Sequence, residues 1–277
     1  MKRLIPPIVM FVFCLFAAAI YAEQNERVYT VGVVPQFEAR RLHAIWRPIL
    51  DLVEKKTGYK FKLRGSVSIP EFEREFIEGK FDFAYMNPYH LVLANEYAGY
   101  IPLIRDHGRK LYGVLVVHKD SDITNPAQLD GKKVAFPSPN ALGASLQIRK
   151  DLQDDFGIDI KPQYVKTHDS VYLNVLLEEV AAGGGVQKTL NRQKDQYKEM
   201  LRVIHTTQKV EPHPLAALPG VPVEVRDRIQ DIFLEFGQST EGKKLLAKIP
   251  MKKIGKATID DYKPLKEMGL ERFYIAP

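Results

Sequence analysis

The chain has one cysteine among 277 residues, and its place removes it from the chemistry. Cys14 lies in an apolar stretch, residues 4–20, that follows Met1, Lys2 and Arg3 and is broken by Pro6 and Pro7. A basic start, a short apolar run and small residues before Glu23 read as a secretory leader, residues 1–22, cleaved near Ala22. Val12 and Phe13 ahead of Cys14 do not make a lipoprotein box, so no lipidated cysteine is expected. A mature chain without cysteine excludes disulfides, a thiolate nucleophile and cysteine-ligated zinc. No further apolar run approaches the roughly 20 residues of a membrane-spanning helix.

Catalytic signatures are missing as well. There is no G-x-S-x-G elbow, no G-x-x-x-x-G-K phosphate loop and no G-x-G-x-x-G fingerprint. His43, His90, His107, His118 and His213 have no metal-ligand spacing and fall on unrelated elements, so they read as surface or packing residues and no metal is expected. His205, with Thr206 and Thr207, reads as a structural residue of a chain crossing. Glu178 and Glu179 are adjacent and cannot face one direction on a helix, which argues against a paired-carboxylate site. Lysine and arginine number 40 against 34 acids, a net charge of +6, without a basic block. That balance reads as a solvated surface with a mild bias toward anions, not a nucleic-acid footprint. An enzyme is therefore the less favoured reading, and no cofactor is expected.

What is present is alternation. Strand patterns at 28–34, 60–64, 81–85, 101–105 and 112–119 interleave with helical patterns at 40–57, 69–78 and 89–97. Gly58 and Gly79 stop the first two helices. The second half repeats the scheme with strands at 133–136 and 162–165 and helices at 143–156 and 170–179. Gly183 to Gly185 read as a tight bend. Pro212, Pro214, Pro219 and Pro222 read as a return crossing before two terminal helices, 224–236 and 240–249, which must pack on the first unit. The expected class is α/β with two comparable lobes: 23–114 plus 210–277, and 115–209. Two crossings, near 115–119 and 205–212, would enclose a cleft, where small ligands bind and hinged closure is expected.

The most informative stretch is the strand 133–136 and the loop Pro137 to Gly143 that opens into a helix. Small and helix-breaking residues there leave backbone N–H groups unpaired at a helix N-terminus, a geometry that binds anions.

Several pieces in this order resemble the phosphate/phosphite/phosphonate-binding periplasmic proteins, the solute-binding components of ABC transporters. They are Val31 to Pro35, Trp46 to Pro48, Gly79 to Pro88, Tyr112 before Val116 to Ser121, Leu129 to Phe136, His168-Asp169 and Asp261-Tyr262. The resemblance covers most of the mature chain. It implies a type II, Venus-flytrap fold with mixed sheets flanked by helices and an oxyanion bound between the lobes. It implies ligand contacts from Tyr85, Asn87, Tyr112, Asn140, Ala141 and His168, together with backbone N–H groups near Asn140 to Ser145. It also implies a periplasmic monomer that serves an inner-membrane permease and its cytoplasmic ATPase. The alternative partner is a membrane histidine kinase.

Two departures bear on the ligand. Where the family usually carries a Ser-Thr-Ser run, this chain has Asn140, Ala141 and Leu142, so hydroxyl donors are lost. Where it often has an aspartate facing the ligand, the alignment puts Ala181. Simple phosphonates and phosphate are therefore expected to bind weakly.

Overall fold

The computed structural model describes residues 27–249 and 251–277; the leader and its cleavage point lie outside them. Alternating burial makes β1 (Val28–Val33) a strand, and α1 (Ala39–Thr57) turns Trp46, Ile49, Leu50 and Val53 inward. Gly58, at φ 78°, ends α1 and donates its N–H to the Glu54 carbonyl. There follow β2 (Lys60–Arg64), α2 (Ile69–Ile77), β3 (Phe83–Tyr85), α3 (Pro88–Ala98) and β4 (Ile101–Asp106). The second run is β5 (Gly113–His118), β6 (Lys133–Phe136), α4 (Gln147–Asp154), β7 (Lys161–Tyr164), α5 (His168–Leu176) and β8 (Ala182–Val186). It continues with α6 (Gln187–Asn191), α7 (Asp195–Lys198) and β9 (Leu201–Thr206). The chain then returns through β10 (Leu215–Ala217), α8 (Val223–Phe236), α9 (Thr240–Leu246) and β11 (Ile254–Lys256).

Two mixed sheets result, ordered β11-β4-β10-β3-β1-β2 and β7-β6-β8-β5-β9. In the first, β1 runs parallel to β2 and β3, while β10 is antiparallel to β3 and β4. In the second, β6 runs parallel to β7 and β8, while β5 is antiparallel to β8 and β9. The terminal helices pack on the first lobe: Ile229, Phe233, Phe236 and Leu246 share its core with Trp46. The second lobe buries one cluster on each face of its sheet, around Leu115 and Phe136 and around Val116 and Tyr172.

The expected crossing at 115–119 is corrected. Gly113 and Val114 already pair with Val186 and Gly185 of β8, so β5 belongs wholly to the second sheet. The chain passes between lobes just before it, where Leu111 and Val210 exchange N–H to carbonyl bonds of 2.8 and 2.9 Å. The proline-rich return is not a plain connection either. Leu215, Ala216 and Ala217, flanked by prolines and buried on both faces, form a central strand too short to show a period.

Gly183 to Gly185 are strand, not bend. A side chain at Gly184 would put its Cβ 2.1 Å from the Ala144 carbonyl oxygen and 2.6 Å from the Phe136 ring. A Cβ at Gly113 would fall 1.9 Å from the Gly143 oxygen. The glycines let the segment after β6 lie directly on the sheet. That segment begins as a π-helical turn, Leu142–Leu146, before α4. The expected helix is thus present with a wider first turn, in which the Ala141 carbonyl accepts from both Ser145 and Leu146.

Candidate functional site

The carboxyl ends of the parallel strands in both lobes face one cleft, the usual place for a ligand in open α/β sheets. From the first lobe, the Val34 N–H donates to the Tyr85 carbonyl at 3.0 Å and the Met86 N–H to the Pro214 carbonyl at 3.2 Å. These bonds set Gln36, Tyr85 and His213 side by side. The Tyr85 ring stacks on His213 with centroids 5.6 Å apart, and the Gln36 amide lies 2.6 Å from His213 Nε2. From the second lobe come the loop 137–143, the start of α5 and the turn from β8 into α6, with Tyr112 at the crossing just before β5. Two cavities open here. One of about 1030 Å³ is lined from both lobes, by Val33, Pro35 and Leu63 and by Ser138, Tyr164 and Thr167. One of about 360 Å³ has Arg41 on one side and Asp169 and Arg192 on the other. Phe37 lines both.

Free donors converge between these cavities. His168 is the first residue of α5, which Thr167 caps by accepting from the Ser170 N–H at 3.1 Å. Lys166 reaches this cap from the left-handed region, φ 73°, a conformation that costs about 1–2 kcal/mol for a residue with a Cβ. His168 is 6% exposed and its Nδ1 has no hydrogen-bond partner among the described residues. Burial, opposed only by Asp169, lowers its pKa from 6.5 to about 4. The ring is therefore neutral at neutral pH, with one nitrogen to donate and one to accept. Ser138 Oγ is likewise buried without a partner. It restores one hydroxyl to a loop read as having lost them. The Tyr85 phenol is held protonated by burial, against the pull of Arg109.

The Asn140 side chain is taken up by protein partners rather than offered to this cleft, which corrects its reading, and Asn87 is engaged as a helix cap. Asn140 Nδ2 donates to Glu73 Oε2 at 2.8 Å and to the Ile275 carbonyl at 2.7 Å. Its Oδ1 accepts the Ile275 N–H at 3.0 Å. Glu73 is fully buried and its other oxygen sits 2.9 Å from His90 Nε2. Asn87 caps α3 by accepting the His90 N–H at 2.8 Å, and its Nδ2 reaches the Asn140 carbonyl at 3.3 Å. Both asparagines therefore tie loop 137–143 to the first lobe and the C-terminal segment. Ala141 is buried beside them. Tyr112 is half-buried at the edge of the cleft, with the Lys209 ammonium 5.5 Å from its ring centroid.

The residues that sequence reasoning missed are cations. Arg41 of α1 lies over the Phe37 ring at 4.1 Å and Arg192 of the second lobe over the same ring at 5.8 Å. Lys188 precedes Arg192 by four residues, hence on the same helical face. Burial first, then Arg192, Arg109 and Arg41, lower the Lys188 pKa from 10.5 to about 6. Arg109 is paired with Asp106 at 3.0 Å. Burial and the facing cations Arg109 and Lys188 drive His213 well below 6.5. His213 is packed against Tyr85 and Gln36.

Ala181 is also corrected. Its N–H donates to the Lys133 carbonyl at 3.0 Å, at the start of β6. It lines a different depression, with His118, Ser121 and Lys132. This is the end of the sheet opposite loop 137–143, so residue 181 cannot discriminate the ligand. Among the described residues no cluster of histidine, cysteine and carboxylate has the arrangement of a metal site, and no helix is long and apolar enough to cross a membrane.

Comparison with known proteins agrees with this geometry. The sequence matches over residues 31–262 the family described as "ABC transporter, phosphonate, periplasmic substrate-binding protein". The phosphonates-binding periplasmic protein of Escherichia coli K12 is 24% identical over 259 residues, covering 87% of this chain and 75% of that one. The phosphate-import protein PhnD of Mycolicibacterium smegmatis is 23% identical over 236 residues, covering 77% and 73%. In fold, the chain is similar to PhnD1 of Prochlorococcus marinus, solved in complex with methylphosphonate, with a TM-score of 0.79 at 17% identity over 90% of this chain and 99% of that one. The match runs from the first strand to Tyr262, through both lobes and the cleft, and the chain belongs to the family of phosphonate-binding periplasmic substrate-binding proteins of ABC transporters.

Proposed function

We propose that this chain captures a phosphorus oxyanion in the cleft and presents the closed form to an inner-membrane permease driven by a cytoplasmic ATPase. The lobes in this reading are 27–112 with 210–277, and 113–209. The observation that carries it is the pair of buried, unpartnered polar atoms, Ser138 Oγ and His168 Nδ1, on the second-lobe side of the cleft. Buried polar groups without partners in a native fold are the exception, and a ligand is a sufficient reason for them.

The first turn of the helix after loop 137–143 adds backbone N–H groups and a positive dipole end. Tyr85 supplies a phenol donor from the facing lobe and Tyr112 an aromatic edge. His168 binds as a neutral donor at neutral pH. Leader cleavage near Ala22 and the periplasm as compartment are part of the same reading, as is the role of carrier rather than catalyst.

The test is calorimetry of the purified protein with phosphate, phosphite, methylphosphonate and a phosphonocarboxylate, beside native mass spectrometry of protein purified without denaturation. Binding of at least one phosphorus oxyanion, weakened by His168→Ala and by Ser138→Ala, is expected. No binding of any of the four sinks the reading.

A further inference from the structure

Arg41 and Arg192 line one part of the cleft from both lobes, and Lys188 lies one helical turn before Arg192. Arg41 and Arg192 share the face of Phe37 and the walls of the 360 Å³ cavity. Lys188 shares its helical face with Arg192. Against these cations stand two carboxylates. Asp106 is paired with Arg109 and accepts the N–H groups of Gly108 and Lys253, both at 2.9 Å. Asp169 accepts from Gln193 Nε2 at 2.7 Å. Among the described residues, Arg41, Lys188 and Arg192 form no ion pair. Lys188, less than half exposed, makes no hydrogen bond either.

A partly buried ammonium close to guanidinium groups and without a carboxylate of its own is unfavourable by itself. It becomes favourable when an anion enters. The donors proposed to hold the phosphorus oxyanion, Ser138, His168 and the N–H groups of the π-helical turn, are a separate set. They are neutral, and they recognise oxygen atoms rather than excess charge.

We propose that the ligand carries a second anionic group, a carboxylate or a further phosphorus oxyanion, held by Lys188, Arg192 and Arg41. This proposal rests on the reading of the cleft as a phosphorus-oxyanion site and deepens it. It makes the chain selective for phosphonocarboxylate-type polyanions over alkylphosphonates, and selective against aminoalkylphosphonates, whose ammonium would face the same cations. A cationic wall rejects a cationic ligand group by like-charge repulsion as well as attracting the anionic one.

The experiment is calorimetry of the mature protein with propylphosphonate, 3-aminopropylphosphonate, phosphonoacetate and 3-phosphonopropionate. A phosphonocarboxylate binds about tenfold or more tighter than propylphosphonate, as one charge-assisted contact requires, and the aminophosphonate is the weakest of the four. Lys188→Met removes the advantage of the carboxylate and leaves propylphosphonate within about twofold, while Lys188→Arg retains it. Circular dichroism confirms that the variants fold. Propylphosphonate binding as tightly as both phosphonocarboxylates, the aminophosphonate binding tightest, or Lys188→Met weakening all probes alike would each overturn the inference and leave the phosphorus-oxyanion reading standing. Failure of all four compounds removes that reading, and the inference with it.

Discussion

Replacing Asn140 with alanine is expected to open the cleft rather than to strip a ligand contact. The carboxamide makes three hydrogen bonds, all to groups outside its own lobe. The two with Ile275 return to water when the cleft opens, because that residue is half exposed. The bond to Glu73 is different. Glu73 is fully buried, and its remaining partner is His90 at 2.9 Å. A hydrogen bond to a charged group contributes about 1.5–3 kcal/mol, and leaving its buried partner unsatisfied costs a similar amount. The closed form of Asn140→Ala therefore loses about 2–4 kcal/mol. In an open form water solvates Glu73 and the loss is small.

At about 1.4 kcal/mol for each factor of ten, the closed-to-open ratio falls roughly thirtyfold at the lower end. Förster transfer between dyes at Lys62→Cys and Lys132→Cys, exposed positions on the two lobes, reads that ratio directly. Residues 27–277 contain no competing cysteine. Deleting residues 273–277 removes the Ile275 partner and disturbs the same network, so its effect and that of Asn140→Ala should not add. An unchanged transfer distribution in Asn140→Ala, with or without a phosphonate, would refute the argument that this network latches the lobes.

Four further outcomes are expected. Small-angle scattering should show a smaller radius of gyration on addition of a phosphonate that binds, with the Leu111–Val210 pair as the hinge; an identical profile at saturation excludes closure. Gly184→Val should lower the thermal midpoint sharply, by about 3 kcal/mol or more of stability, because its Cβ meets the Ala144 oxygen at 2.1 Å; a midpoint within 2 °C of wild type would be inconsistent with that contact. His168 keeps its proton off down to about pH 4 while an unfolded chain takes one up near 6.5. Stability should therefore fall as pH drops through that window, by up to about 1.4 kcal/mol per unit; His213 adds a loss of the same sign. His168→Gln should flatten the slope of urea-unfolding free energy between pH 6.5 and 4, and an unaltered slope would show that the imidazole is not desolvated. Lys188, lowered to about 6, should take up a proton when a phosphonocarboxylate binds at pH 7.5; binding enthalpies independent of buffer ionisation would argue against it.

Much of the frame was legible. Residues 40–57 carry apolar side chains at helical spacing, and α1 is found at Ala39–Thr57. The strand at 133–136 is where a short β-branched and aromatic run puts it. The missed elements share a physical cause. β10 is three residues between prolines, and β11 is three residues around a glycine. β8 is mostly glycine, and its identity as a strand is fixed by what presses on it rather than by its own propensity.

The local positions of Tyr85 and His168 were legible: Tyr85 ends a strand and His168 heads a helix. The spacing of Lys188 and Arg192 was readable but carried no direction. Only the fold shows that Arg41, far away in sequence, shares the Phe37 ring with Arg192. Asn87 was readable as a helix cap from its position before Pro88, and the structure gives it that bond. That Asn140 binds protein rather than ligand depends on Ile275, 135 residues later, and no local pattern holds such information.

The departure from the family's usual loop has a physical meaning. A run of hydroxyls holds a tetrahedral oxyanion by the number and direction of its hydrogen bonds. An asparagine in that run has two donors and an acceptor fixed in a plane, which suits a backbone amide better than a phosphoryl group. Here it meets such an amide, at Ile275, and so couples the loop to the first lobe. Loop 137–143 thus ties the lobes through the Asn140 side chain and leaves its backbone and Ser138 for the anion capture proposed above. In the proposed site, the binding strength that the missing hydroxyls would supply comes instead from cations, which act over longer distances and with less demand on angle than hydrogen bonds do. Under the proposal made above, such a site would discriminate by charge number more than by the exact shape of the phosphoryl group, in keeping with Lys188 forming no ion pair among the described residues.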